Sequence, residues 1–209
     1  CLGGHAIYSA TLGGSVSNLT YPIGGARFGT YGEEVVCLEI VLPTGDIIRT
    51  GSDATTVGGR FHRYGAGPDL TGMFIGDQGV FGVKTEVTVR LCLPPEAREF
   101  ETYCFRNLES GTKACMDMGK ALLVYDGFVV VGEHSVKQMS RRFPKIPEGT
   151  QMMIMACIEG DKETIGHRKT RLDKIARRHG GTLVGPDPAR SPTYDLMGDH
   201  ACKVRSYGV

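Results

Sequence analysis

The sequence predicts an α+β protein in two parts, and three observations carry that reading. From Gly82 onward the residues alternate, with Val83, Thr85, Val87, Val89 and Leu91 on one face and Lys84, Glu86, Thr88 and Arg90 on the other. That is the period of a half-buried strand. Val35 to Leu42 and Ile47 to Thr50 are strand-like runs on either side of Pro43-Thr44-Gly45-Asp46, which predicts a β-hairpin. Beyond Pro94-Pro95, strands and helices alternate to the end of the readable pattern. Paired prolines break a strand and suit an inter-domain connection, so the boundary is placed there, with domains at 1–95 and 96–209.

Composition bounds the function. The 209 residues are 41% hydrophobic, enough to fill a core, and the formal net charge of +1 gives no electrostatic case for nucleic acid or an anionic membrane. No apolar run approaches a membrane span. The seven cysteines, at 1, 37, 92, 104, 115, 157 and 202, are irregularly spaced without a CxxC pair. They read mostly as buried reduced thiols, which places the protein in a reducing compartment and predicts a cytoplasmic location. The first residue is Cys, so the chain is expected to begin partway through something longer.

Residues 1–20 carry glycine pairs at 3–4 and 13–14 among small and hydroxyl residues. Two readings stand: a loop with a tight turn, or a ligand-facing loop in which Thr11, Ser15, Ser17, Asn18 and Thr20 offer hydroxyls and an amide. Residues 51–66 have no clear period and carry Arg60, His62, Arg63 and Tyr64, either a solvated loop or a basic loop that meets an anion. The stretch Gly67 to Glu86 has glycines at 67, 72, 76, 79 and 82, too frequent for a helix interior and suited to a backbone that approaches a ligand closely.

In the second part, Glu101–Phe105 predicts a strand. Asn107 caps a helix to about Leu122 whose face is Leu108, Cys115, Met118 and Leu122. Gly127 to Gly132 is a strand, Val136 to Phe143 a short helix, and Met152 to Ile158 an apolar strand. Lys162 to His179 is a helix stopped by Gly180-Gly181, and Thr182 to Val184 closes as a strand. This order predicts a sheet covered by helices on one side, ferredoxin-like in outline. Arg168, Lys169, Arg171, Lys174, Arg177 and Arg178 lie on the polar side of the last helix, a solvated face without the interleaved aromatics of a nucleic-acid surface. His134 and Tyr125 have two readings each, a substrate-facing residue or a packed or surface one. Asp199, His200 and Cys202 carry ligating groups, but a site needs three or four ligands and no partner cluster is visible, so no metal is expected.

The order Gly13-Gly14, Ser17-Asn18, Tyr31-Gly32, the hairpin Leu38 to Ile48, Gly67-Pro-Asp-Leu-Thr-Gly-Met-Phe-Ile-Gly76 and Gln78-Gly-Val-Phe-Gly-Val83, ending at Leu91 and Pro94-Pro95, resembles the FAD-linked oxidase family. This is the vanillyl-alcohol oxidase type of flavoprotein, which includes D-lactate dehydrogenases, the glycolate oxidase flavin subunit and alkyldihydroxyacetonephosphate synthase. The resemblance covers about residues 5–95. It implies the second half of a flavin-binding domain followed by the start of a ferredoxin-like cap domain, with FAD as cofactor. Carried over by motif, the FAD contacts come from Thr11, Gly13, Gly14, Ser17, Asn18 and Thr20 in the first segment and from Gly79, Gly82 and Val83 in the second.

The resemblance also implies an activity: oxidation of a small 2-hydroxy acid or alcohol by hydride transfer to flavin, with a small-molecule substrate and a homodimer or partner subunit as company. The alternative is a non-catalytic fragment or assembly subunit that keeps the fold for partner binding. The sequence departs from the family at Gln78, where a Glu is common, at Leu19-Thr20, where a small residue is common, and at Lys84, where an apolar residue is common. By strand alternation Lys84 faces away from Val83 and hence away from the ring. The family's upstream glycine-rich loop and its histidine-containing C-terminal segment have no counterpart, so the catalytic residues stay unassigned and the chain reads as partial.

Overall fold

The structure is a computed structural model that describes residues 10–22, 24–55, 57–64, 67–143 and 145–186. The chain divides into two compact units, Cys1–Leu93 and Pro94–Val209.

The first unit is built on a three-stranded antiparallel sheet of order β2-β1-β3, from β1 (Val35–Val41), β2 (Ile47–Arg49) and β3 (Val83–Val89). The hairpin forms where it is expected, closed by Leu42 N–H to Asp46 O at 2.9 Å, with Gly45 at φ 89°. Only a residue tolerant of left-handed backbone fits there. Glu39 lies opposite Arg49 and pairs with it across the strands. Three short helices precede the sheet, α1 (Leu12–Ser17), α2 (Gly25–Phe28) and α3 (Tyr31–Glu34), and α4 (Leu70–Met73) lies between β2 and β3. The core is Val16, Val35, Leu38, Ile40 and Phe74. A buried hydroxyl chain backs it: Thr71 donates to Thr50 at 2.9 Å, and Thr50 Oγ1 accepts from Leu38 N–H at 3.2 Å.

The loop after β2 is exposed over most of its described length, and it is tied together from within. It begins as a 3-10 turn at Gly51–Ala54, and the Ser52 hydroxyl gathers it by accepting from Phe61 N–H and His62 N–H and donating to Gly59 O. Its cations are taken up inside the unit. Arg60 pairs with Asp53 and Glu86, and Arg63 pairs with Asp69 and donates to Gly32 O.

The second unit has a four-stranded antiparallel sheet of order β5-β6-β4-β7, from β4 (Ala97–Phe105), β5 (Asp126–Val131), β6 (Met152–Gly160) and β7 (Thr182–Leu183). With α5 (Leu108–Lys120) after β4 and α7 (Lys162–Arg178) after β6, the chain follows β-α-β-β-α-β, the ferredoxin-like order. Asn107 and Asp161 cap these helices through their side-chain oxygens, at 2.8 Å from Ser110 N and 2.7 Å from Thr164 N. Two details differ from expectation. The buried face of α5 is Gly111, Ala114 and Met118, while Leu108 and Leu122 are exposed, because a Cβ at 111 would stand 2.5 Å from Met152 Sδ and only glycine admits that approach. The sheet is also covered on both faces, since α6 (Glu133–Arg142) brings Val136 and Met139 onto Cys104, Met153 and Met155, opposite the Tyr103, Phe105, Ile154 and Leu172 core. Among the described residues no helix is long and apolar enough to cross a membrane.

Candidate functional site

Gly13 and Gly14 lie in a capped helix and not a loop, while Gly3 and Gly4 lie outside the described residues. Thr11 is extended, and its Oγ1 accepts from Gly14 N–H at 3.1 Å, which starts α1 despite two glycines in its first turn. The helix presses on the beginning of β3, where a Cβ at Gly13 would stand 2.9 Å from Lys84 O. The second glycine segment is tied to the same helix, for Gly76 N–H donates to Val16 O and Gln78 N–H to Ser17 O, each at 2.9 Å. Gln78 holds φ 54°, an uncommon conformation for a residue with a Cβ, and Gly79 follows at φ 80°.

These two segments, distant in sequence, line one open groove of about 600 Å³. Of the expected contacts, Thr11, Gly13, Gly14, Ser17, Gly79, Gly82 and Val83 are on its wall, and Asn18 and Thr20 are not. Asn18 ends α1, its N–H bonded to Gly14 O, and Thr20 N–H bonds to Ser15 O. Leu12, Lys84, Thr85 and Val87 also line the groove and escaped sequence reasoning. Two main-chain donors are already occupied: Gly14 N–H by Thr11 and Gly79 N–H by Asp77 Oδ1 at 3.1 Å. Gly79 therefore serves as a wall without a side chain. Gly82, at φ 149°, is required by the sheet itself, because a Cβ there would stand 2.6 Å from Val41 O and from Ile40 Cγ2.

Strand alternation is misleading at Lys84. Val83 is 67% exposed, whereas the side chains of Lys84 and Asp77 are 1% and 0% exposed and form an ion pair. Asp77 also accepts from Gly79 N–H and from Phe81 N–H at 3.3 Å. Burial pushes the Asp77 carboxyl up, but the Lys84 ammonium and the two N–H groups outweigh it and hold the group below its ordinary range. Among the described lining residues Lys84 alone carries an ionisable side chain.

In the second unit, Tyr125 is buried with the Arg98 guanidinium 5.4 Å from its ring centre, and His134 Nε2 meets Gln138 at 3.1 Å on the exposed side of α6. The basic residues of α7 are partly structural, with Lys169 bridging Glu99 and Glu101 and Arg168 donating to Glu159 O. Among the described residues no group of three or more His, Cys, Asp or Glu side chains can hold a metal, and Asp199, His200 and Cys202 lie outside the described residues.

No family model matches the chain. Individual proteins do. The chain is 31% identical over 177 residues to glycolate oxidase subunit GlcD of Bacillus subtilis, covering 84% of this chain and 36% of that protein. It is 26% identical over 204 residues to alkyldihydroxyacetonephosphate synthase of Caenorhabditis elegans, covering 87% and 33%. The fold matches a solved alkyldihydroxyacetonephosphate synthase with a TM-score of 0.69 at 17% identity, over 93% of this chain and 36% of the other. It matches p-cresol methylhydroxylase with a TM-score of 0.67 at 18% identity, over 85% and 39%. The agreement extends through both units, and the chain spans about a third of the length of these curated relatives. These relatives and structures together support the FAD-linked oxidase family of the vanillyl-alcohol oxidase type.

Proposed function

We propose that the unit before Pro94 is part of an FAD site and the unit after it part of a substrate cap, in an FAD-dependent oxidoreductase that oxidises a small 2-hydroxy acid or alcohol. The observation that carries this reading is the groove in which the two glycine segments meet. Its chemistry fits a flavin nucleotide. Glycine walls admit a flat ring or a pyrophosphate, Leu12, Val83 and Val87 give apolar surface, and the hydroxyls of Thr11 and Ser17 give polar partners, while that of Thr85 is bound to Glu39.

In this reading Thr11, Gly13, Gly14 and Ser17 border the pyrophosphate, and Gly79, Gly82 and Val83 border the ring. FAD supplies the acceptor for two electrons and a proton equivalent. The chain's own residues bind and orient it, and α1 and the 76–83 turn keep water from one side of the groove. The substrate is a small molecule, and a second copy or a partner subunit completes the assembly; the GlcD relative is itself named a subunit. The described cysteines are free thiols, which supports a reducing, cytoplasmic setting.

The test is direct. Purified full-length protein should show flavin absorbance, and the bands should bleach anaerobically with D-lactate, glycolate or a related 2-hydroxy acid. Protein without flavin that also fails to take up added FAD would sink the proposal.

A further inference from the structure

Lys84 falls in the polar phase of an alternating strand, yet its side chain is buried against Asp77 at the groove wall. We propose that the Asp77–Lys84 pair is a positioning clip that sets the shape of the 77–83 turn to receive the flavin nucleotide, an inference that rests on the FAD reading above.

The turn needs such a device. Gln78, Gly79 and Gly82 hold φ of 54°, 80° and 149°, and although Gly82 packs on β1 and Phe81 meets the Phe74 ring edge-on, Val80 and Phe81 are 71% and 48% exposed, which leaves the middle of the turn to be held by polar contacts. One carboxylate spans it instead. Asp77 accepts from Gly79 N–H, Phe81 N–H and the Lys84 ammonium, and that ammonium reaches Gly82 O at 3.5 Å. Both ends of the turn are thereby referred to one point.

Stability alone does not account for the pair. Removing two charges from water is costly, and an apolar side chain in the same space often serves a fold as well or better. What an apolar residue at 84 lacks is direction: it cannot bind Gly82 O or hold the Asp77 carboxylate in place. The stem of Lys84 also lies beneath α1, since a Cβ on Gly13 would stand 3.4 Å from Lys84 Cβ. The clip thus joins the two segments that form the groove.

The experiment uses the full-length protein, stripped of flavin, as wild type, D77N, K84M and D77N/K84M. FAD affinity is read from flavin fluorescence on titration at a temperature where circular dichroism shows each variant folded. Hydrogen exchange by mass spectrometry compares peptides over the 77–83 turn with peptides over β1. Each single variant should weaken FAD at least tenfold and speed exchange in the turn while β1 is unchanged. The double variant should recover stability but not affinity. Recovery of both in the double variant would show an ordinary structural pair and overturn the clip, as would unchanged affinity in all three. Failure of the wild type to bind FAD would instead overturn the flavin reading, and the clip's role with it.

Discussion

Replacing Gly82 should damage the fold before it touches any ligand. A Cβ at 82 would stand 2.6 Å from Val41 O and 2.6 Å from Ile40 Cγ2, both on β1, at a φ of 149°. The backbone conformation costs a residue with a side chain about 1–3 kcal/mol. Forcing the neighbours apart costs about 1–3 kcal/mol more, because one of them is main chain held in the β1–β3 ladder. The sum for Gly82→Ala, roughly 2–6 kcal/mol, is a large share of the 5–15 kcal/mol that holds a domain together. For a unit of this size it lowers the melting temperature by roughly 10 °C or more. Gly79→Ala is the control. It has φ 80° with nothing within 4 Å of the added atom, so only the left-handed backbone is penalised, by about 1–2 kcal/mol. Scanning calorimetry of the flavin-free full-length protein decides the matter. Equal losses at 79 and 82, or a smaller loss at 82, would refute the close-approach argument.

The acid limb of stability should carry the signature of Asp77: its folded pKa is depressed, so its contribution is present above the ordinary carboxylate pKa of about 4 and is lost as pH falls through the lower folded value. Urea midpoints measured from pH 6 to pH 2.5 should fall less steeply in D77N than in wild type. Thr11→Ala removes the cap of α1 and should cost about 1 kcal/mol, while Thr11→Ser should cost little; denaturant unfolding distinguishes them. Burial pushes the Cys157 thiol up to about 12, so at pH 8 a thiol reagent should label exposed Cys92 promptly and Cys157 only on unfolding.

Much of the architecture was legible because local and global signals agree. The β-branched run of β1, the Pro-Thr-Gly-Asp turn, the Asn107 position ahead of a helix and the Gly180-Gly181 stop each have one cheap conformation. The two glycine segments were singled out by their order along the chain, and the groove that unites them is made only when the chain folds. Three features were hidden. Lys84 follows the polar phase of an alternating strand, and nothing local tells that the turn returns Asp77 to meet it. On α5 Met118 is buried as expected but Leu108 and Leu122 are not, because the helix approaches β6 through Gly111 and Ala114. The cover supplied by α6 was missed because a short polar helix gives no sign of which sheet face it will take.

The pairing pattern of the second sheet has a consequence for how the chain is made. β6 is bonded to β4 over nine residues, from Ala97 opposite Gly160 to Phe105 opposite Met152, and it is also the partner of β5. Neither β4 nor β5 pairs with the other, and the remaining contact of β4 is the two-residue β7. A nascent chain that has emerged only as far as residue 151 therefore contains no strand pair of this sheet. Tyr103, Cys104 and Phe105, wholly buried later, wait in the open while the sequence that covers them is translated. Long-range closure of this kind is slow and exposes unpaired edges. A ribosome stalled before Met152 should present a second unit that is protease-sensitive and bound by chaperones, and release from the exit tunnel of β6 alone should change that state.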